Sequence, residues 1–277
     1  MRLTSEQTMK LKKIELDILK NFILVCKQLN LKYYIIAGTL IGAVRHKGFI
    51  PWDDDIDVAM PRKDYEKFIN EGQALLPKNL FIQTNKTDPE FAFNMAKIRD
   101  SNTTFLEESS QNCYINSGVF LDIFVLDNFP NSKLKQKWIL FKDKVYLIAI
   151  GRVFFRKKIS KSLKIKQIIS RLFFKSPYKA LIKRENFIKS FAKEGLVHNF
   201  SSNYHEKEIV PWKWYGDGVL IEFEGLKVNA PTEYNLLLKH IYGDYMKLPP
   251  EEKRVSHHAI DVIDLENSYT KYIVKKK

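Results

Sequence analysis

Residues 49 to 60 read "FIPWDDDIDVAM", with four aspartates, Asp53, Asp54, Asp55 and Asp57, inside five positions. Side chains alternate along a strand, so Asp55 and Asp57 share one face, about 6.6 Å apart along the chain, while Ile56 and Val58 turn into a core. Adjacent carboxylates on a half-buried strand are unfavourable unless they are paired or bind a cation. Oxygen-only ligands of this kind suit Mg²⁺, with Mn²⁺ as the alternative. A solvated loop balanced by Arg45, Lys47 and Arg62 is the competing account of the same residues.

Three neighbouring features favour the cation. Gly38 and Thr39 close an apolar run, "KYYIIAG", and open a helix whose free N–H groups favour a phosphate. A further aspartate, Asp122, lies inside the apolar "GVFLDIF". "AKIRD" sets Lys97 and Arg99 on one strand face, suited to phosphate oxygens. Together they describe a two-metal phosphoryl-transfer site. Arg45, His46 and Lys47 either touch nucleotide phosphates or balance the acidic run. Asp53 and Asp54 fit an outer-shell role as well as ligation. His257 and His258 read as surface or packing residues. Trp212, Trp214 and Tyr215 read as packing beneath a hairpin, with an aromatic cage for a quaternary ammonium as the alternative.

The elements that must position these residues are legible in outline. Thr4 and Gln7 form a capping box before a helix carrying Leu11, Ile14, Ile18, Phe22 and Val25 at helical spacing. "KYYIIAG" and "DIDVAMP" read as buried strands, and "RKDYEKFINEGQALL" as a helix. "FIQTN", "FAFNMAKIRD", "TTFLE" and "GVFLDIFVLD" read as four more strands. The expected fold is α/β (α+β), a mixed sheet flanked by helices. "GVLIEFEGLKVNAP" reads as a hairpin turning at Glu224-Gly225, followed by a helix from about Thr232 to Ile241.

An apolar fraction of 45% with 13% aromatics calls for a packed core rather than disorder. Cys26 and Cys113 have no motif spacing, so a reducing compartment and no zinc set are expected. The first residues lack the apolar core of a signal peptide, and "VYLIAIGRVFF" is too short to span a bilayer, so a cytoplasmic location is expected. From Lys133 through Lys193 there are 19 Lys and Arg against two acids, more than the whole net charge of +14. That stretch is helical by pattern, with Trp138, Phe141, Val145, Ile148 and Phe155 in one stripe. Ile165, Ile168, Ile169, Leu172 and Phe173 form another, with Lys161, Lys164, Lys166, Arg171 and Lys175 around it. No nucleic-acid motif accompanies the charge, and nucleic acid is not expected. Basic residues flanking apolar stripes suit a helix lying on an anionic membrane; a helical subdomain with a solvated basic exterior is the alternative.

"AGTLIGAVRHKGFIPWDDDIDVAMPRKDYEKF" closely resembles the LicD family of phosphotransferases, which share the nucleotidyltransferase fold and include relatives of fukutin. "AKIRDSNTTFLEE", "GVFLDIFVLD" and "YGDYMKLPPEEKR" resemble further family blocks, in the family's order. The resemblance covers roughly residues 10 to 130 and 210 to 260. It implies a nucleotidyltransferase-like catalytic core at 1–131 and a C-terminal part at 196–277 that completes the catalytic domain; the basic helical segment between them, 132–195, is read from its own charge and periodicity and is not expected to be dictated by the family. It implies Asp55, Asp57 and Asp122 as metal ligands and Gly38 and Thr39 as the phosphate-binding turn. The implied partners are a CDP-alcohol donor, phosphocholine favoured, and a glycan or lipid-linked glycan acceptor at the inner face of the membrane. Nucleotidyl transfer onto a small hydroxyl acceptor is the alternative reaction.

Overall fold

The computed structural model describes residues 3–154, 159–256 and 258–272. Helix α1 (Ser5–Leu29) begins with the expected reciprocal cap: the Thr4 hydroxyl accepts the Gln7 N–H while the Gln7 side chain accepts the Thr4 N–H. It ends at Asn30 in the left-handed conformation, and its buried face carries Leu11, Ile18, Phe22 and Val25. Strand β1 (Tyr34–Ile35) is shorter than "KYYIIAG" suggests, because the chain already turns into α2 (Ala37–His46) at Ala37. Ala37 has φ 49°, a left-handed value that costs an L-residue about 1 kcal/mol.

Strand β2 (Asp57–Pro61) follows, starting at Asp57 rather than Asp55, and then α3 (Arg62–Glu71). Strands β3 (Leu80–Gln83) and β4 (Ala96–Asp100) form an antiparallel pair. Strand β5 (Thr104–Glu107) leaves them, and β6 (Val119–Phe129) runs through the centre. The sheet order is β1-β2-β6-β4-β3, with β2 and β6 parallel and the other pairs antiparallel. This is the expected mixed α/β architecture. Along one edge of β6 the partner changes: β4 pairs with residues 119–123, then β7 (Leu196–Asn199) with residues 126–129. Strand β8 (Val210–Pro211) extends β7.

Alternation along β1, β2 and β6 splits the core in two. Ile35, Val58, Met60, Ile123 and Val125 enter the main cluster with α1 and α3. Tyr34, Ile36, Ala59 and Leu126 enter a second cluster on the other face. That face is covered by α7 (Trp212–Tyr215) and α8 (Tyr234–Tyr242). Apolar residues on both faces explain why these strands read as near-continuous hydrophobic runs. Tyr215 packs edge-on against Tyr34, Trp214 against His240, and the Trp212 indole donates to Asn128, so these aromatics pack rather than form a cage.

The hairpin β9 (Val219–Phe223) and β10 (Leu226–Ala230) turns at Glu224 and Gly225, both with positive φ, as a two-residue primed turn requires. The last strand, β11 (Ile260–Asp264), pairs with β5 as a separate two-stranded sheet, so "TTFLE" does not join the main sheet.

The basic segment forms α4 (Lys133–Ile150), α5 (Lys161–Phe173) and α6 (Pro177–Lys189), each capped by a serine. Phe155 lies outside the described residues. Tyr146, Ala149, Ile150, Ala180 and Leu181 form a small core together with Ala92 of the loop before β4. Among the described residues, no helix is long and apolar enough to cross a membrane.

Candidate active site

The start of α2 and the start of β2 are tied to each other. The Asp57 N–H donates to the Thr39 hydroxyl at 2.8 Å, and the Ile36 N–H donates to the Asp57 carbonyl at 3.1 Å. The Thr39 hydroxyl thus accepts one bond and keeps its own proton to donate. Asp57 stands directly opposite Asp122 across the parallel β2–β6 pair, and Lys97 stands opposite Asp122 on the other side. Asp57 shares its strand face with Ala59, whose side chain joins the second core cluster beside α8.

The loop carrying Asp53, Asp54 and Asp55 is held from three directions. Lys12 on α1 donates to the carbonyls of Ile50 and Pro51 at 3.2 and 3.1 Å. The Phe49 N–H donates to the Glu224 carboxylate at 3.0 Å, and the Glu224 N–H to the Lys47 carbonyl at 2.8 Å, so the hairpin tip clamps the loop. Gly38 sits against the Asp53 carboxylate so closely that any Cβ there would collide with it. Glycine at this position lets an acidic group rest at the first turn of α2, where the helix favours negative charge.

His258 is the site residue that sequence reasoning missed. Its Nδ1 is 3.1 Å from Asp54 Oδ1 and its Nε2 is 3.9 Å from Asp55 Oδ2, while Phe105 and Phe120 meet its ring edge-on. Ser256 donates to the other Asp54 oxygen. The only sequence signal for this contact is the tandem histidine itself; His257 lies outside the described residues.

The other expected residues fall into place unevenly. Lys97 is buried, with Nζ 2.9 Å from Asp122 Oδ1, 3.9 Å from Glu107 Oε2 and 3.4 Å from the Phe120 ring centre. Arg99 is also buried against Phe120, but its Nε donates to Gln83 and its Nη1 to the Gly118 carbonyl, each at 2.8 Å. Sharing a strand face with Lys97 therefore does not bring it into contact with the acids. Arg45 is in the last turn of α2, where it donates to the Tyr245 carbonyl at 2.7 Å and to His46 at 2.9 Å. The structure does not place Arg45 in contact with the carboxylates.

Electrostatically the acids outnumber their counter-charges. Burial, then the charge of Asp54, pushes Asp53 up to about 6. Burial, then Asp53, pushes Asp55 up to about 7. Asp57 is held well above the carboxylate range by burial, then by Asp55 and Asp122. Glu15, buried beneath the loop with Oε2 lacking a hydrogen-bond partner, is raised by burial and then by Asp55, Asp54 and Asp53. Burial pulls His258 down, but its bond to Asp54 and the charges of Asp55 and Glu107 outweigh this and bring it to about 9.

Buried carboxylates crowded enough to be raised in this way fit a divalent cation. Among the described residues, Asp53, Asp54 and Asp55 place carboxylate oxygens within 4.8 Å of one another. That grouping differs from the expected Asp55, Asp57 and Asp122, although all five belong to the same acidic cluster. A hard oxygen donor set of this composition suits Mg²⁺ or Mn²⁺.

Two consequences are measurable. Thr39→Val removes the acceptor of the Asp57 N–H and is expected to cost about 1–3 kcal/mol, while Thr39→Ser retains it. Urea denaturation of both variants checks this; equal losses would show that the hydroxyl bond is not the cause. The second concerns pH. Asp53 and Asp55 have folded pKa values above their ordinary 3.8, so the stability that their protonation contributes is lost as pH rises through about 6 and about 7. The His258 contribution is present below 6.5 and lost as pH rises through about 9. Burial pushes His198 down to about 3, so it acts oppositely as pH falls below 6.5. The melting temperature of cation-free protein should therefore fall between about pH 6 and about pH 9, with the fall reduced by added Mg²⁺. A melting temperature that rises between those values would contradict the assignment.

Residues 30–149 match the family model described as "LicD/FKTN/FKRP, nucleotidyltransferase domain". The chain is 32% identical to the lipopolysaccharide cholinephosphotransferase LicD of Haemophilus influenzae over 265 residues, 88% of this chain and 92% of the relative. It is also 35% identical over 102 residues to an uncharacterized protein of Rickettsia prowazekii, 36% of this chain and 34% of that one. The Haemophilus match covers most of both chains, and from that extent we conclude that the chain belongs to the LicD family.

Proposed function

We propose that this protein transfers a phospho-alcohol, phosphocholine favoured, from a CDP-activated donor to a hydroxyl of a cell-surface glycan or its lipid-linked precursor. The observation that carries this reading is the Asp57–Asp122 pair across parallel strands, with the start of α2 tied to the same point. The cholinephosphotransferase identity of the Haemophilus relative supports the choice of phosphocholine and of a lipopolysaccharide-type acceptor. In this reading Asp55, Asp57 and Asp122 hold Mg²⁺ (or Mn²⁺), with Asp53 and Asp54 beside them. The cation, when bound, would neutralise the diphosphate and lower the pKa of the acceptor hydroxyl.

The chain's own groups do the rest. Gly38 and the Thr39 O–H would receive a donor phosphate at the start of α2, and Arg45, in the last turn of that helix, would contribute to nucleotide binding. The acceptor oxygen bonds to the alcohol-bearing phosphorus, and the bridging P–O bond to the nucleoside phosphate breaks. CMP leaves with that electron pair, and the hydroxyl proton passes to Asp122. Lys97, paired to Asp122, offsets the charge gathering on the transferred phosphoryl group. Arg99 serves by seating β4 through Gln83 and Gly118 rather than by touching the donor. His258 holds Asp54 in place. The expected setting is the cytoplasmic face of a membrane.

The word nucleotidyltransferase in the family description favours one other reading, transfer of a nucleoside monophosphate with loss of pyrophosphate. Product analysis separates the two. Incubation with labelled CDP-choline and a lipopolysaccharide acceptor should release CMP and label the glycan. Release of pyrophosphate from a nucleoside triphosphate, with the nucleotide left on the acceptor, would replace the proposal by the alternative.

A further inference from the structure

Helix α5 is docked the wrong way round for an ordinary amphipathic helix. The residues it turns toward the protein are Leu163, Gln167 and Ser170, of which Ser170 is fully buried and its hydroxyl donates to the Gln167 carbonyl at 2.7 Å. Its aliphatic stripe faces solvent instead: Ile168 is 56% exposed, Leu172 83% and Phe173 69%, with Ile165 and Ile169 beside them. At about 100° per residue, these five occupy one continuous arc opposite the docked face. Lys164 and Arg171 fall along one edge of that arc and Lys166 along the other, all exposed. Helix α5 contains no acidic residue.

The surrounding segment carries the same bias. Its two acids are both engaged by basic partners: Asp143 is buried against Arg184, and Glu185 pairs with Lys189 at 2.8 Å. On α4, Leu134, Trp138 and Phe141 form a second exposed apolar stripe at helical spacing. An apolar face rimmed by lysine and arginine, with no competing acid, matches the boundary of an anionic bilayer: acyl chains take the stripe and headgroup phosphates take the rim. A second copy of this chain would bring a second basic rim against the first, and like charge disfavours that occupant.

We propose that α5 lies in the plane of an anionic lipid bilayer as the membrane-docking surface of this protein. The inference deepens the reading of a lipid-linked acceptor above and rests on that reading only for its purpose. The surface itself is tested without the transfer reaction.

The experiment is co-sedimentation of the full chain with vesicles of phosphatidylglycerol and phosphatidylcholine, against phosphatidylcholine alone, at low and high salt. Wild type should partition onto the anionic vesicles and be released by salt. Leu172→Ser with Phe173→Ser should weaken binding by at least about tenfold. Lys164→Gln, Lys166→Gln and Arg171→Gln should each weaken it by about fivefold and lessen its salt dependence. Because all five side chains are exposed, the variants should melt as wild type does, which separates loss of docking from loss of fold. Absence of vesicle binding by wild type, or unchanged binding by the variants, would overturn the proposal. So would a wild-type dimer in sedimentation velocity that the Leu172→Ser, Phe173→Ser variant dissociates, since a second copy would then own the stripe. Any of these results alongside intact CMP release would leave the catalytic reading standing.

Discussion

Asp57→Asn should lower phosphocholine transfer at least about a thousandfold, equivalent to roughly 4 kcal/mol of transition-state stabilisation. The substitution keeps the shape of the side chain and both backbone bonds that tie β2 to α2, so its effect should fall on charge rather than on fold. The same change should raise the melting temperature of the cation-free protein. Asp57 is buried among Asp55, Asp122 and Asp53, and its neutral replacement removes the cost of burying an ionisable acid there. A loss of activity coupled to a gain of cation-free stability is the signature of a group strained for function. Initial rates and thermal scans on one preparation read both. A variant retaining more than about a tenth of wild-type activity would remove Asp57 from the chemistry.

The second large effect is structural. Arg184 on α6 is buried and joins three regions: its Nε and Nη2 reach Asp143 of α4 at 2.7 and 3.2 Å, its Nη1 reaches Asn94 at 2.8 Å, and Nη2 also reaches the Phe200 carbonyl at 2.7 Å. Asn94 precedes β4, and Phe200 follows β7, so one guanidinium ties the basic helices to the two strands that share one edge of β6. Arg184→Met leaves Asp143 buried without its counter-charge and should cost about 3–5 kcal/mol. Asp143→Asn together with Arg184→Met should recover part of that loss, because no lone charge remains. Urea denaturation of the single and double variants tests both statements. A single-variant loss below about 1 kcal/mol would show that the tie contributes little.

The parts of this fold that announced themselves did so through local chemistry. Thr4 and Gln7 are three residues apart and can form only one reciprocal cap. Glu224-Gly225 sits between two apolar alternations and tolerates the positive φ that the turn needs. Asp57 and Asp122 stood out because each interrupts an apolar strand where charge has no structural purpose. What stayed hidden depends on distance along the chain. β5 alternates as any strand does, and nothing in "TTFLE" says that its partner is β11, some 150 residues later. Ser256 and His258 reach Asp54 across 202 and 204 residues from a segment with no periodicity. Arg99 shares a face with Lys97, but strand alternation does not reveal that Gln83 and Gly118 each accept one of its donors. The α5 stripe was visible as a period of 3.6, yet that period is identical whether the stripe faces a core or the solvent.

The most direct test of the central claim is calorimetric binding of CDP-choline, with CDP-glycerol, CDP-ribitol and ATP as comparators, to wild type and Asp57→Asn. Each titration is run with Mg²⁺ and again after its removal. The account predicts that CDP-choline binds wild type only when Mg²⁺ is present and that Asp57→Asn abolishes this binding. Equal binding with and without the cation, undiminished in Asp57→Asn, or binding of ATP alone, would contradict it.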